Sequence, residues 1–314
     1  MFSIIGIVLV FGAIIGGYLM EKGNLLVLLQ PAELLIIGGA AAGTVLIANP
    51  VHILKAIIGG ITGVFKGSSF TQKRYLDSLK MLYDLFNLAR RSGLTAIESD
   101  IEEPSKSKIF TAYPAIMKDA HIGSFICDTL RTASVGAVEP FDIDQMIELD
   151  MDVHHHDASL PVAALNTMAD SLPGLGIVAA VLGVVITMGA LGGPPEEIGH
   201  KVAAALVGTF LGILLCYGLF GPIASNMAKT ADEEHAYYYV LRVCMMAFIK
   251  GIAPIMAVEI ARRAVPGNVR PTFHELEKLC RSKAPAPAGE AAPAPGGEAA
   301  AAAGGAPPAA DAAA

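Results

Sequence analysis

Two apolar stretches decide the fold of this chain: LPGLGIVAAVLGVVITMGALGG (172–193) and VAAALVGTFLGILLCYGLFGPIASNMA (202–228). Neither contains Asp, Glu, Lys or Arg, and the short polar turn PPEEIGHK (194–201) joins them. Each is long enough to cross the hydrocarbon core of a bilayer, which takes about 20 residues of helix. Because both are rich in glycine and alanine, we predict a closely packed pair of membrane helices.

Two further uncharged apolar stretches, Phe2–Met20 and Leu34–Leu54, lie near the N-terminus, and His52 is the one ionisable residue of the second. The first lacks a basic leader and a small-residue cleavage site, so we interpret it as a retained helix rather than a signal peptide. The composition, 54% hydrophobic and 16% charged, is typical of a polytopic membrane protein. The predicted fold is all-α, with four transmembrane helices arranged two plus two around a helical insert.

The basic residues predict the orientation. Each short connection between spans holds a single Lys, Lys22 or Lys201, and the remaining Lys and Arg lie in the two long segments that follow the second and fourth spans. The positive-inside rule therefore places both long segments and both termini in the cytoplasm. The expected organisation is two membrane helices (1–65), a cytoplasmic domain (66–171), two membrane helices (172–228), cytoplasmic helices (229–283) and a disordered Ala/Pro/Gly tail (284–314).

Helical periodicity runs through the long segments. In Phe70–Arg91 one apolar stripe recurs at alternating spacings of four and three residues, and Ser92-Gly93 ends that helix. A second helix is expected to begin near Thr95. The stripe consists of Tyr75, Leu79, Leu82, Phe86 and Ala89. Further helices are predicted around 107–118, 121–137, 142–153, 231–265 and 272–282.

Several function classes are disfavoured. The net charge of −7 argues against nucleic acid as a partner, and the four cysteines lack the spacing of a metal site. His154–His156 are adjacent, so their side chains would point around a helix rather than to one metal ion. We expect no cofactor and no enzymatic activity.

The predicted spans carry no acid or base at their centres, although ionisable groups inside a membrane mark ion relays. An ion path would therefore need a carboxylate from another subunit, and this chain would supply the wall. Pro173, Ala180 and Thr187 recur every seven residues on the third membrane helix, and Thr209 lies between two glycines on the fourth. The alternative is plain helix packing, with each threonine bonded to a carbonyl one turn back.

Two other pairs of residues have competing interpretations. Pro173 and Pro222 lie at the predicted cytoplasmic ends of the third and fourth membrane helices, where they would either kink or cap a helix or serve as hinges. Arg90 and Glu98 flank a turn in the insert. Glu98 could complete a capping box with Thr95, and both charges could simply be solvated.

The layout, together with ARRSGLTAIE (89–98), PGLGIVAAVLGVVITMG (173–189) and LVGTFLGILLCYGLFGP (206–222), resembles the MotA family of flagellar stator subunits from Met1 to about Cys280. The resemblance implies a pentameric ring around MotB-like subunits whose aspartate binds the ion. It further implies that Arg90 and Glu98 face the rotor protein FliG, that Pro173 and Pro222 couple ion passage to the cytoplasmic domain, and that Thr209 lies near the partner's aspartate.

The resemblance also bears on the transported ion, and two alternative functions remain. Sodium-driven relatives tend to carry threonine at the position of Ala180, and alanine offers no oxygen to replace sodium's hydration shell, so we expect protons. An energiser of outer-membrane processes resembling ExbB or TolQ is one alternative, although those families typically have three spans with the insert after the first. A membrane scaffold without conductance is the other.

Overall fold

The computed structural model describes residues 2–189 and 192–282. In these ranges the chain is helical throughout and forms no strand, as predicted. The first helices are α1 (Phe2–Met20), α2 (Leu25–Leu28), α3 (Pro31–Ala48), α4 (Val51–Lys66), α5 (Gln72–Ser92), α6 (Glu98–Glu102) and α7 (Lys108–Thr111). The remainder are α8 (Pro114–Met117), α9 (Ala120–Val135), α10 (Pro140–Met188), α11 (Pro195–Leu215), α12 (Gly221–Ile249), α13 (Pro254–Ala264) and α14 (Phe273–Arg281). The tail predicted for 284–314 lies outside the described residues.

Four helical segments are long and apolar enough to cross a membrane: Phe2–Met20, Leu25–Ala48, Pro140–Met188 and Pro195–Ile249. The two-plus-two arrangement is thus confirmed. The second span differs from the predicted 34–54 because α3 ends at Ala48, where the Asn49 side-chain amide donates to the carbonyl of Val45 at 3.0 Å. Pro50 then precedes a separate helix, α4, since a residue before proline disfavours the helical region.

The third span is part of a far longer helix than the sequence predicted. Instead of a short helix at 142–153 and a new helix near 172, α10 runs without interruption from Pro140 to Met188 and contains Pro161 and Pro173. An interior proline costs a helix about 3 kcal/mol, so packing must offset it. Buried Val162 and Leu165 supply part of that packing, in one apolar cluster with Ile57 of α4 and Met227 of α12.

The fourth span also continues beyond the membrane. A five-residue π-helical turn, Cys216–Phe220, joins α11 to α12 without a break. The helix predicted for 231–265 is in fact divided. It ends at Ile249, Gly251 takes a left-handed φ of +87°, and α13 begins at Pro254. Gly251 permits this turn because glycine adopts positive φ without a Cβ clash.

The helices outside the membrane form one head, made of α5–α9, the first part of α10, the last part of α12, α13 and α14. The predicted stripe of α5 faces its core, and every member is at most 4% exposed. Phe86 stacks on Phe248 of α12 with ring centroids 4.2 Å apart. The Arg242 Nε of α12 donates to Asp144 of α10 at 2.7 Å, and this contact joins the two long helices. The head is therefore anchored on both helices that enter the membrane.

The insert differs in detail from its prediction. A 3₁₀ turn, Leu94–Ile97, leads into α6, and the region 107–118 contains two short helices rather than one. Pro114 at the start of α8 explains that division, because it fixes the preceding residue outside the helical region. The expected helices at 121–137 and 272–282 are confirmed as α9 and α14.

Candidate ion path and coupling surface

The helices α10 and α11 touch backbone to backbone through glycine. A Cβ added at Gly176 would lie 2.9 Å from the carbonyl oxygen of Gly208 and 3.2 Å from the Cα of Gly212. One at Gly183 would lie 2.7 Å from the Cβ of Ala205. Real Cβ atoms do not approach so closely, so no larger residue fits. Gly176, Gly183, Gly208 and Gly212 therefore serve helix packing, which was the alternative to a smooth path wall.

The two threonines behave differently. Thr187 is buried, and its hydroxyl donates to the carbonyl of Gly183 at 2.8 Å, which is the back-bond expected of a threonine in a membrane helix. Thr209 is half-buried, and the hydrogen bonds found in the described part of the chain include no such bond for it. Of the two, Thr209 has the hydroxyl that remains available.

The outer surface of α10 is apolar and uncovered. Ile177, Val181, Val184, Val185 and Ile186 are each at least 51% exposed in the single chain. The half-buried Ala180 and Pro173 border this surface on the same helix. An uncharged, β-branched face of this kind is suited to lipid or to another membrane helix.

A carboxyl group that the sequence analysis missed lies against the helix pair. Glu33, in the first turn of α3, is only 6% exposed, and its Oε2 has no hydrogen-bond partner among the described residues. Oε2 occupies the space beside Gly208, where an added Cβ would lie 2.6 Å from it. The predicted second span, 34–54, left Glu33 out, whereas the apolar segment Leu25–Ala48 includes it. An acid within the otherwise apolar segment Leu25–Ala48 was the signal that could have found it.

The two prolines occupy different positions. Pro173 lies inside α10 and is half-buried, whereas Pro222 is exposed and directly follows the π-helical turn. A π turn changes the hydrogen-bond register, and such turns are frequent at functional sites. Pro222 cannot donate a backbone hydrogen bond, and its ring crowds the preceding turn. The structure thus places a local irregularity in the helix at Pro222 and an uninterrupted helix at Pro173.

Arg90 and Glu98 lie on either side of the turn at Gly93, which has a φ of +88°. Both are exposed, and neither forms an ion pair within the described ranges. The capping box that was one interpretation of Glu98 does not form: the helix starting at Glu98 has no side-chain cap, because the preceding residues form the 3₁₀ turn. Arg90 also borders a cleft of about 260 Å³ lined by Leu130 and Phe248. These charges are free to meet a partner.

His154 and His155 of α10 contact side chains of α12. The His154 Nε2 lies 3.1 Å from Glu234, and the rings of His155 and His235 are 4.6 Å apart. The hydrogen bond with Glu234 raises the pKa of His154, whereas burial lowers the pKa of His235, with a further lowering from His155. No grouping of His, Cys, Asp and Glu in the described residues could hold a metal ion.

Comparison with known proteins identifies the family. A model described as Motility protein A N-terminal matches residues 4–93, and one described as MotA/TolQ/ExbB proton channel family matches residues 117–239. Motility protein A of Salmonella typhimurium and that of Escherichia coli are each 38% identical over 282 residues, covering 90% of this chain and 96% of the relative. Chemotaxis protein LafT of Vibrio parahaemolyticus is 35% identical, covering 87% of this chain and 96% of the relative.

Solved structures show the same fold. The Campylobacter jejuni MotAB structure matches with a TM-score of 0.71 at 20% identity, covering 86% of this chain and 98% of that chain. The flagellar MotAB stator complex of Bacillus subtilis matches with a TM-score of 0.68 at 24% identity, covering 88% and 98%. The family models and the relatives at 38% identity together match nearly the whole length of the chain. The chain therefore belongs to the motility protein A family.

Proposed function

We propose that this chain is the ring-forming subunit of a flagellar stator, which conducts protons with a MotB-like partner and turns their flow into torque on the rotor protein FliG. The observation that carries the proposal is the continuity of α10 and of α11–α12. Each joins an uncharged membrane face to a head that presents Arg90 and Glu98. Motion produced at the membrane would therefore reach the head, where α5 and α6 carry those charges, along continuous helices.

In this proposal the chain is a multi-pass inner-membrane protein with the head and both termini in the cytoplasm. The exposed apolar face of α10 meets the partner's helix or a neighbouring copy of this chain in the ring. We expect the ring to be a pentamer. Ala180 and Thr209 lie beside the partner's aspartate, and Thr187 holds the helix wall through its back-bond to Gly183. Pro173 and Pro222 couple the membrane part to the head.

The energy available fits a mechanical step. A unit charge crossing the membrane releases about 2.3 kcal/mol per 100 mV. That is enough to shift a packed ring between two arrangements. Protons are favoured because Ala180 adds no oxygen to the path. Swimming that requires external sodium and survives a protonophore would contradict this choice of ion.

The relatives favour a stator over the other two functions. The N-terminal match covers the first two spans, and both relatives that are 38% identical to this chain are motility proteins. A scaffold without conductance would tolerate changes at Arg90 and Pro173. The swimming assay described next therefore tests this alternative as well.

The test is a swimming assay of cells that lack their own subunit and carry Arg90→Glu or Pro173→Ala, with the amount of protein in the membrane measured. We expect both variants to lose most swimming. Lys106→Glu, a charge reversal at a side chain 76% exposed, is the matched control for Arg90. Pro195→Ala, at the first turn of α11 where a missing N–H costs little, is the control for Pro173. Normal swimming by both test variants at normal protein levels would refute the assignment.

A further inference from the structure

Only one edge of the apolar surface of α4 is covered by the protein. Its buried side chains pack against α10 and α12 in one apolar cluster. They are Ile53, Ile57 and Val64. A second apolar ridge runs along the exposed side of the helix at seven-residue spacing and consists of Val51, Ile58 and Phe65. At about 100° per residue, the second ridge lies roughly 120° around the helix from the buried edge. The single chain therefore leaves half of an apolar surface uncovered.

Two lysines flank the exposed ridge. Lys55 and Lys66 are three helical turns apart, about 16 Å along the axis, and lie on the side of the ridge away from the buried edge. Both are exposed, and neither forms an ion pair within residues 2–189 and 192–282. A lysine stem can lie along apolar surface while its ammonium group reaches water. The two ammonium groups can therefore sit at one polar border of the ridge.

No acid of the same segment neutralises these lysines. Residues 34–76 contain neither Asp nor Glu. Two acids of α12 approach the end of α4, but each has a partner: Ser68 donates to Glu233, and Glu234 lies 3.1 Å from the Nε2 of His154. The exposed side of α4 thus carries positive charge that the described chain does not compensate, and it is complementary to an anion.

The helix lies at the edge of the membrane part that faces the head. It begins three residues after Ala48, where the second span ends. It packs on Ile223 and Met227, in the last turns of the uncharged stretch before Lys229. The packing is close, since a Cβ added to Gly60 would lie 2.3 Å from the Cε of Met227. The headgroup layer is about 5–7 Å thick on each side of the hydrocarbon core, so α4 lies where headgroups and acyl chains meet.

We propose that α4 is an interfacial helix that binds anionic phospholipid. Acyl chains cover Ile58 and Phe65, and Lys55 and Lys66 hold the anionic headgroup. A helix that lies in the membrane interface has this pattern, with an apolar face toward the acyl chains and lysines at its polar border. An anionic headgroup is preferred to a zwitterionic one by about fivefold for each lysine near it. Binding of this kind goes beyond the proposed stator function and needs only that the chain lies in a membrane.

The experiment uses fluorescence, because the chain contains no tryptophan and a single introduced one reports its own site. Ile58→Trp places the probe on the exposed ridge. Leu149→Trp places the control probe on the head, at a side chain that is likewise 66% exposed. The full chain is reconstituted in vesicles of phosphatidylcholine and phosphatidylglycerol. In each sample one of the two lipids carries bromine on its acyl chains, and bromine quenches tryptophan on contact.

We expect lipid to quench Ile58→Trp and to leave Leu149→Trp unchanged. At equal mole fractions, brominated phosphatidylglycerol should bind beside Ile58→Trp at least about fivefold more tightly than brominated phosphatidylcholine. Adding Lys55→Gln and Lys66→Gln should bring the two lipids close to equal binding. Lys55→Arg with Lys66→Arg keeps both charges and should keep the preference.

The matched control for the lysine changes removes two exposed positive charges from the head, through Arg91→Gln and Lys106→Gln. Arg91 lies at the far end of α5, which extends about 30 Å from its start near α4. This pair of changes should leave the lipid preference as it is. If Ile58→Trp does not accumulate in the membrane, Phe65→Trp gives the same measurement on the same ridge.

Three outcomes would overturn the inference. A probe on the ridge that neither lipid quenches would mean that another protein surface, such as a neighbouring copy of this chain, covers α4. Equal quenching by the two lipids would show that the headgroup charge is not recognised. A preference that survives Lys55→Gln and Lys66→Gln would show that these lysines do not hold the headgroup. A chain that prefers phosphatidylglycerol at Ile58→Trp but fails to restore swimming as wild type would refute the stator function alone.

Discussion

Gly212 of α11 packs directly on the backbone of α10 at Leu172: a methyl group added to Gly212 would lie 2.5 Å from the carbonyl oxygen of Leu172 and 2.9 Å from the Cα of Gly176. Backbone atoms cannot yield as the end of a flexible side chain can. The spacing of the two helices is therefore fixed at this level of the membrane by the absence of a side chain.

Gly212→Ala should separate the helix pair. Inserting one carbon into a tight contact typically costs about 1–3 kcal/mol, so we expect a lower melting temperature in detergent and reduced swimming. Gly174→Ala is the control, because an added Cβ there meets nothing within 4 Å and alanine favours a helix. Equal melting temperatures for the two variants would show that the close contact at Gly212 is not what sets the stability.

Asp144→Asn should weaken the attachment of α10 to α12. Asp144 is 27% exposed and Arg242 is 16% exposed, so their 2.7 Å hydrogen bond is partly shielded from water. We expect a loss on the order of 1 kcal/mol, measured by thermal unfolding. Glu148→Gln, which removes the 57% exposed second partner of Arg242, should cost about 0.5 kcal/mol or less. A larger loss of stability for Glu148→Gln than for Asp144→Asn would contradict this view of the contact.

The native thiols of the head should resist alkylation. Burial raises the pKa of Cys127 to about 11 and that of Cys280 to about 11. Because the thiolate is the reactive form, about a hundredfold less of it is present near neutral pH than for a thiol of pKa 9. Mass spectrometry after maleimide treatment should find these sites unmodified in membranes and modified in detergent that unfolds the protein. Rapid modification in native membranes would mean that the head opens.

The His154–Glu234 contact should make stability depend on pH. The hydrogen bond with Glu234 raises the pKa of His154, so its stabilisation is complete below the unfolded value of about 6.5 and is lost as pH rises through the higher folded value. We expect His154→Asn to lower the melting temperature more at pH 6 than at pH 9. His235 acts in the opposite direction, because its pKa is lowered and its protonation below about pH 6.5 opposes folding.

Glu234→Gln is the matched variant for that pair. It should reproduce the effect of His154→Asn, and the double variant should add little, because the two residues share one interaction. A difference between wild type and His154→Asn that is the same at pH 6 and pH 9 would show that the contact does not involve the charged imidazole.

Periodicity made part of this structure predictable. The α5 stripe from Tyr75 to Ala89 follows the helical repeat, and the uncharged lengths at 172–193 and 202–228 fit a bilayer, so local sequence was enough. The continuity of α10 through Pro161 and Pro173 was not predictable. Proline opposes a helix locally, and only packing against α4 and α12 offsets it.

The burial of Glu33 could not be predicted from the sequence for a related reason. Hydropathy along the chain places an acid next to Leu34 at the edge of a span, and the edge of a span is where acids are usually solvated. Only the crossing of α3 over the glycine faces of α10 and α11 brings the carboxyl into the interior, beside Gly208. That contact joins segments far apart in sequence, so periodicity carries no sign of it.

The unbroken course of α10 has a mechanical consequence. From Leu172 to Pro140 the helix extends about 48 Å away from the membrane at 1.5 Å per residue. It is a lever arm whose short end lies among uncharged side chains. A tilt of about 5° at that end would displace the far end by about 4 Å, close to the rise of one helical turn. The same tilt moves Ala180, about 12 Å from Leu172 on the short arm, by only about 1 Å, so a small shift in the membrane is magnified about fourfold at the head.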